Sequence, residues 1–125
     1  MLKRQILSIT TNGSGAATAT GFAVLGTLYA VEYRPGTGLT TIATGATLTI
    51  TCESDTSKPL FTLANAGTAN IWRYPRDLVH DETGGALTGA NGGDRTCPVL
   101  NGFPKVVIAS GGAAKIGSVI IYYED

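Results

Sequence analysis

The stretch Ala46-Thr47-Leu48-Thr49-Ile50-Thr51-Cys52-Glu53 decides the fold. Apolar residues occupy 46, 48, 50 and 52, with Thr or Glu at every position between. Strict period-two alternation marks a strand with one face in the core and the other wet. Threonine suits that wet face because its branched side chain fits a pleated surface without adding charge. Upstream, Gly26-Thr-Leu-Tyr-Ala-Val-Glu-Tyr33 is equally β-rich but carries large apolar groups on both faces. Leu25, Tyr29, Val31 and Tyr33 share one parity, and Val24, Leu28 and Ala30 the other. Such a strand is central, or one of its faces meets a partner. Arg34-Pro35-Gly36 ends it in a Pro-Gly turn of type II character.

Further strands are expected over 3–10, 17–22, 39–43, 59–64, 70–74, 96–100, 105–109 and 116–123, separated by Gly-containing turns. The run 116–123 is apolar on both faces and reads as a buried strand that closes the fold. Asn101-Gly102, between two β-rich runs, reads as a type I′ hairpin turn. Strands this short and frequent predict one all-β domain spanning 1–125, a sandwich or a jelly-roll-like barrel.

Composition agrees. The chain has 125 residues, of which 17 are Gly, 15 Ala and 18 Thr, and no run free of Gly and Pro exceeds 13 residues. Each interior Gly costs a helix about 1 kcal/mol and each Pro about 3, so long helices are excluded. No apolar run approaches the ~20 residues of a membrane span, and no membrane partner is expected. Nine basic and nine acidic residues cancel, at a charged fraction of 14%. That balance supplies no basic field for nucleic acid, and it leaves little repulsion to oppose self-association. The basic start Met1-Leu-Lys-Arg is followed by Ser8, Thr10 and Thr11 rather than an apolar core, so it does not read as a signal peptide. Cys52 and Cys97 could pair if their strands are neighbours, but use without export would leave them reduced, as two small buried hydrophobes.

The segment from Trp72 to Asp94, a long loop over about 75–95, holds the one Trp and the one His. Seven charged residues cluster there: Arg73, Arg76, Asp77, Asp81, Glu82, Asp94 and, one step on, Arg95. Long loops in compact domains are usually functional, which makes this the first place to look for a recognition surface. His80 with a cysteine and Asp77 or Asp81 nominally offers a nucleophile and base, but no local signature supports catalysis. The acids match no Ca²⁺ loop spacing, and salt bridges to the neighbouring arginines are the plainer role for them. The Gly-rich run 84–93 lacks the Lys-Ser/Thr of a phosphate loop. Asn12-Gly13-Ser14 fits a glycosylation sequon, but without export it reads as a turn. No cofactor, metal or catalytic residue is expected.

The segments 26–36, 46–51 and Trp72-Arg-Tyr-Pro-Arg-Asp-Leu-Val-His-Asp-Glu-Thr-Gly-Gly-Ala-Leu-Thr88 resemble small structural proteins of tailed bacteriophages. In those proteins a YAVEYxPG strand-turn precedes a Thr-rich strand, a YPR…HD loop and a Gly-rich closing strand. The resemblance covers most of the chain in order, and its motifs are structural rather than catalytic. It implies a non-enzymatic virion protein, assembled in the host cytoplasm and lying on the capsid surface. The leading expectation is a capsid decoration (cement) protein, with the major capsid protein and copies of itself, a homotrimer among the arrangements, as partners. A neck, tail or baseplate component is the alternative within the virion. A carbohydrate-binding β-sandwich, with Trp72 and Tyr74 as stacking platform, is the alternative outside it. The expected interface residues are Trp72, Arg73, Tyr74, Arg76, His80 and Asp81 in the loop region, with Lys3 and Arg4 in the N-terminal segment.

Overall fold

A computed structural model describes residues 1–52, 59–78 and 95–125. Its strands are β1 (Leu2–Thr10), β2 (Ala17–Thr20), β3 (Val24–Arg34), β4 (Thr47–Cys52), β5 (Phe61–Leu63), β6 (Ile71–Arg73), β7 (Asp77–Leu78), β8 (Arg95–Thr96), β9 (Val99–Gly102), β10 (Pro104–Ala109) and β11 (Ile116–Glu124). Among the described residues there is no α-helix, only a 3-10 turn at Gly38–Thr40.

Two antiparallel sheets face each other. The first runs β1-β11-β3-β6, with β9 also pairing β3; the second runs β2-β10-β4-β5. A separate two-stranded ladder joins β7 to β8. Neither large sheet closes on itself, so of the two architectures anticipated the chain adopts the open, sandwich-like one. Leu7, Val24, Leu28, Val31, Tyr33, Val119 and Ile121 of the first sheet pack against Leu48, Ile50, Val106 and Ile108 of the second in one core. Ile42, Ala46 and Ala66, from the connections, fill its margin.

β4 follows the alternation of its sequence as far as Ile50: Leu48, Ile50 and Cys52 enter the core, but Thr51, expected on the wet face, is only 6% exposed. β11 lies between β1 and β3, which explains why Val119, Ile120 and Ile121 are all buried. Both cysteines are free; Cys52 is buried and accepts a hydrogen bond from the Asn101 amide, whereas Cys97 is only partly covered. Gly36 takes φ +91°, as the second corner of a type II turn requires. The Ile116 carbonyl oxygen lies where a Cβ at Gly36 would sit, so only glycine fits. Asn12 makes the expected turn, its Oδ1 accepting from the amides of Ser14 and Ala16.

Three expectations are corrected. Residues 39–43 form no strand; the 3-10 turn occupies their start, where Gly38 has φ +70°. Asn101-Gly102 does not turn a hairpin, because β9 belongs to the first sheet and β10 to the second. A type I′ turn needs positive φ at both central residues, yet only Gly102 has it, at +107°, and the chain crosses between layers through Phe103. The parity of β3 changes midway. Tyr122 pairs with Ala30 but Tyr123 pairs with Leu28, so Tyr29 is an extra, bulged residue. Leu28 and Val31 therefore both face the core, while Tyr29 is turned outward.

Candidate functional site: an aromatic and charged face on the first sheet

The outer face of the first sheet carries the unusual chemistry. Pairing registers place Ile6, Ile120, Glu32 and Trp72 in one row across β1, β11, β3 and β6. Arg4, Tyr122 and Ala30 form the next row. This face points away from the core, yet Ile120 is 1% exposed and Glu32 only 4%. The Trp72 indole stacks on the Tyr122 ring at 5.0 Å between centroids, which roofs this part of the sheet.

Beneath that roof the Glu32 carboxylate is satisfied by its neighbours. Arg34 donates through Nε to Oε2 at 2.7 Å and through Nη2 to Oε1 at 3.2 Å, and the Tyr122 hydroxyl donates to Oε1 at 3.2 Å. A buried carboxylate persists only when paired and hydrogen-bonded in this way. The bond to Glu32 in turn holds the Arg34 guanidinium more firmly in its charged form.

A second cluster adjoins it. Tyr74 meets the bulged Tyr29 edge-to-face at 6.2 Å, and the Arg76 guanidinium lies over the Tyr29 ring at 5.3 Å. Arg76 Nη1 also donates to the Tyr29 carbonyl at 2.8 Å, which fixes the arginine against β3. Arg73 folds back onto the Trp72 carbonyl at 2.9 Å.

Of the residues anticipated from sequence, Trp72, Arg73, Tyr74 and Arg76 therefore gather along the β6 edge. Arg4 joins the same face from the far side, as the cross-strand neighbour of Tyr122. Lys3 has the opposite parity and instead forms a 2.6 Å ion pair with Asp125. His80 and Asp81 lie outside the described residues.

Sequence reading missed two features. One is the Glu32–Arg34 pair, for which a Glu between Val31 and Tyr33 in an apolar strand was the available signal. The other is an apolar end of the sandwich. Phe22 (82% exposed), Leu25, Val99 and Phe103 all stand exposed there. Leu25 pairs with Asn101 and Thr27 with Val99, while the Gly21 amide bonds the Pro104 carbonyl and so brings Phe22 alongside Phe103. Contiguous apolar patches on a protein surface mark interaction sites.

Among the described residues no group of three or more His, Cys, Asp or Glu is arranged to hold a metal ion. No helix there is long and apolar enough to cross a membrane. The fold and this face together define an antiparallel β-sandwich with an aromatic and arginine-bearing outer sheet. Comparison with protein-family models, with curated proteins and with solved structures finds no significant match to the chain.

Proposed function

We propose that this chain is a non-enzymatic structural protein of a virion that works by docking, with decoration of the capsid surface as its leading role. The observation that carries the docking part is the large aromatic and apolar surface that the core does not use. Trp72, Tyr74 and Tyr29 stand at least two-fifths exposed beside Arg73 and Arg76, and a separate apolar end presents Phe22 and Phe103. Interfaces draw most of their binding energy from Trp, Tyr and Arg anchors of this kind. Zero net charge favours packing many copies on one shell, where repeated weak contacts add avidity. The virion setting is supported by the resemblance of segments 26–36, 46–51 and 72–88 to tailed-phage structural proteins, with the major capsid protein as docking partner.

The test is the number of copies on purified particles, by quantitative mass spectrometry and cryo-EM. A copy number comparable to that of the major capsid protein supports decoration. A small number set by a ring symmetry moves the protein to the neck, tail or baseplate. Absence from particles overturns the reading. Trp72→Ala and Arg76→Ala should each weaken docking by about tenfold or more, as hot-spot residues do.

Trp72 supports a second reading, carbohydrate binding. One face of its indole rests on Tyr122 while the side chain stays 45% exposed, the disposition that stacking on a sugar ring requires. Tyr74 does not share that platform, since it packs on Tyr29. A glycan titration followed by tryptophan fluorescence decides: a saturable change supports this reading, and a flat response removes it.

A further inference from the structure

β1 is the edge of the first sheet and runs nine residues in continuous register with β11, without a bulge or a proline. The described edge strands elsewhere are short: β2 has four residues, and β5 and β6 three each. Long open edges are usually blunted by charge, bulges or a covering segment, because their unpaired backbone groups template further pairing. Beside β1 lies a groove of about 840 Å³, lined by residues 4–8, 18–22 and Tyr123, which the Gln5 side chain crosses to bond the Phe22 amide and carbonyl. The edge charges of β1, Lys3 and Arg4, sit together at its N-terminal end, and Gln5 to Thr10 carry none.

That uneven charge selects a partner. Parallel self-pairing in register would set Lys3 and Arg4 against their own copies, which is destabilising. Antiparallel self-pairing sets each charged end against an uncharged one. Side-chain faces match only when paired residue numbers sum to an even value, since a one-residue slip exchanges the two faces. Centring the pair on Arg4 or Lys3 opposes like charges, and centring it on Gln5 or Leu7 shortens the overlap. Centring it on Ile6 uses the whole strand from Leu2 to Thr10. Arg4 then faces the partner's Ser8, Lys3 faces the partner's Ile9, and Ile6 meets the partner's Ile6.

We infer that β1 is a self-association edge, on which a second copy of this chain pairs antiparallel about a two-fold axis at Ile6 to join the two first sheets into one. Ile6 is 58% exposed on the outer face and forms the centre of the contact. The two grooves face one another beneath the joined sheet, with exposed Phe22 at each rim. The closed, isologous contact gives a dimer rather than an open fibre. The inference stands apart from the virion reading, because it concerns the mass of the purified protein in solution and not its presence on particles.

The test is size-exclusion chromatography with light scattering over a concentration series, on the wild-type chain, Ile6→Lys and Ser8→Arg. The wild type should be a dimer. Ile6→Lys opposes two lysines, and Ser8→Arg sets an arginine opposite each Arg4, so each should raise the dimer dissociation constant about tenfold or more while circular dichroism stays unchanged. In a Cys97→Ser background, Ile6→Cys should form an intermolecular disulfide under mild oxidation, and Ser8→Cys should not. A monomer at every concentration, a trimer, or a dimer indifferent to both charge variants overturns the inference. Equal cross-linking at both positions overturns the register.

Discussion

The outer faces of the two sheets differ sharply. On the second sheet, Thr18, Val107, Thr49 and Thr62 stand in one row across β2, β10, β4 and β5, and Thr20, Lys105 and Thr51 in the next. Apart from Lys105, short β-branched side chains cover the backbone there and leave little to recognise. The first sheet instead presents a stacked Trp72 and Tyr122 over a buried, hydrogen-bonded Glu32 and a buried Ile120. The same strand architecture thus yields a quiet surface and a second, miniature core. The lesson is that an outward-facing position is solvated only if its neighbours are too small to cover it.

The largest expected effect tests that miniature core. Ile120→Ala should destabilise the fold by about 2–4 kcal/mol, a value typical of interior positions. Val107→Ala, in the corresponding position on the threonine face, should cost less than about 1 kcal/mol, because it is already partly solvated. Urea unfolding of both variants makes the comparison; equal costs would mean that the Trp72–Tyr122 roof shelters nothing. Tyr122→Phe comes next. It keeps the ring under Trp72 but removes a hydrogen bond to a buried carboxylate, at a cost of about 1–2 kcal/mol. Arg34→Ala should exceed Glu32→Ala in the same assay, since the first strands a buried carboxylate and the second leaves a half-exposed guanidinium to water.

The threonine face was legible in sequence because nothing interrupts its period: positions 46–52 alternate without a bulge, and parity assigns each side chain to its face, although Thr51 on the outer one is covered. The aromatic face was not. In β3 the bulge at Tyr29 changes the phase, so Val31 and Leu28 share a side that their parity denies. Glu32 is buried by Trp72 and Tyr122, residues 40 and 90 positions away, and no local pattern records such a pairing. Trp72, Arg73, Tyr74 and Arg76 stood out through composition and do gather at one edge. Asn101-Gly102 misled for a different reason. A turn signal specifies a local reversal and does not say whether the next strand stays in its layer.

The inner face of the first sheet offers a counterpart to Glu32. The Tyr33 hydroxyl is buried without a hydrogen-bond partner among the described residues, and burial pushes its pKa up to about 12. A buried hydroxyl lacking a partner carries a desolvation penalty, so Tyr33→Phe should be neutral or stabilising by up to about 1 kcal/mol, opposite in sign to Tyr122→Phe. The pH dependence follows. Folded Tyr33 holds its proton more tightly than the unfolded chain, whose tyrosines ionise near pH 10. Its contribution is complete below about pH 10 and is lost as pH rises from there toward 12. Denaturant midpoints measured across that window should fall less steeply in Tyr33→Phe than in the wild type.

The smallest expected effect contrasts the Glu32–Arg34 pair, whose carboxylate is covered, with the open one on the same sheet. Lys3 and Asp125 meet at 2.6 Å with both side chains well exposed, joining the first strand to the end of the last. The hydrogen bond from Lys3, then its charge, holds the Asp125 carboxyl below its ordinary range, and Asp125 raises Lys3 in the same way. A depressed carboxylate stabilises the fold above its unfolded value near 3.8, and that contribution disappears as pH falls through the folded value. The raised Lys3 behaves oppositely, contributing below 10.5 and losing its share as pH climbs through its folded value. NMR titration of Asp125 should show the depression at low salt, and both Lys3→Gln and 1 M salt should reduce it, because water and ions screen an exposed pair. The stability cost of Arg34→Ala, whose partner Glu32 is only 4% exposed, should by contrast change little in 1 M salt. If high salt weakened both pairs equally, the outer face of the first sheet would be as wet as the threonine face opposite.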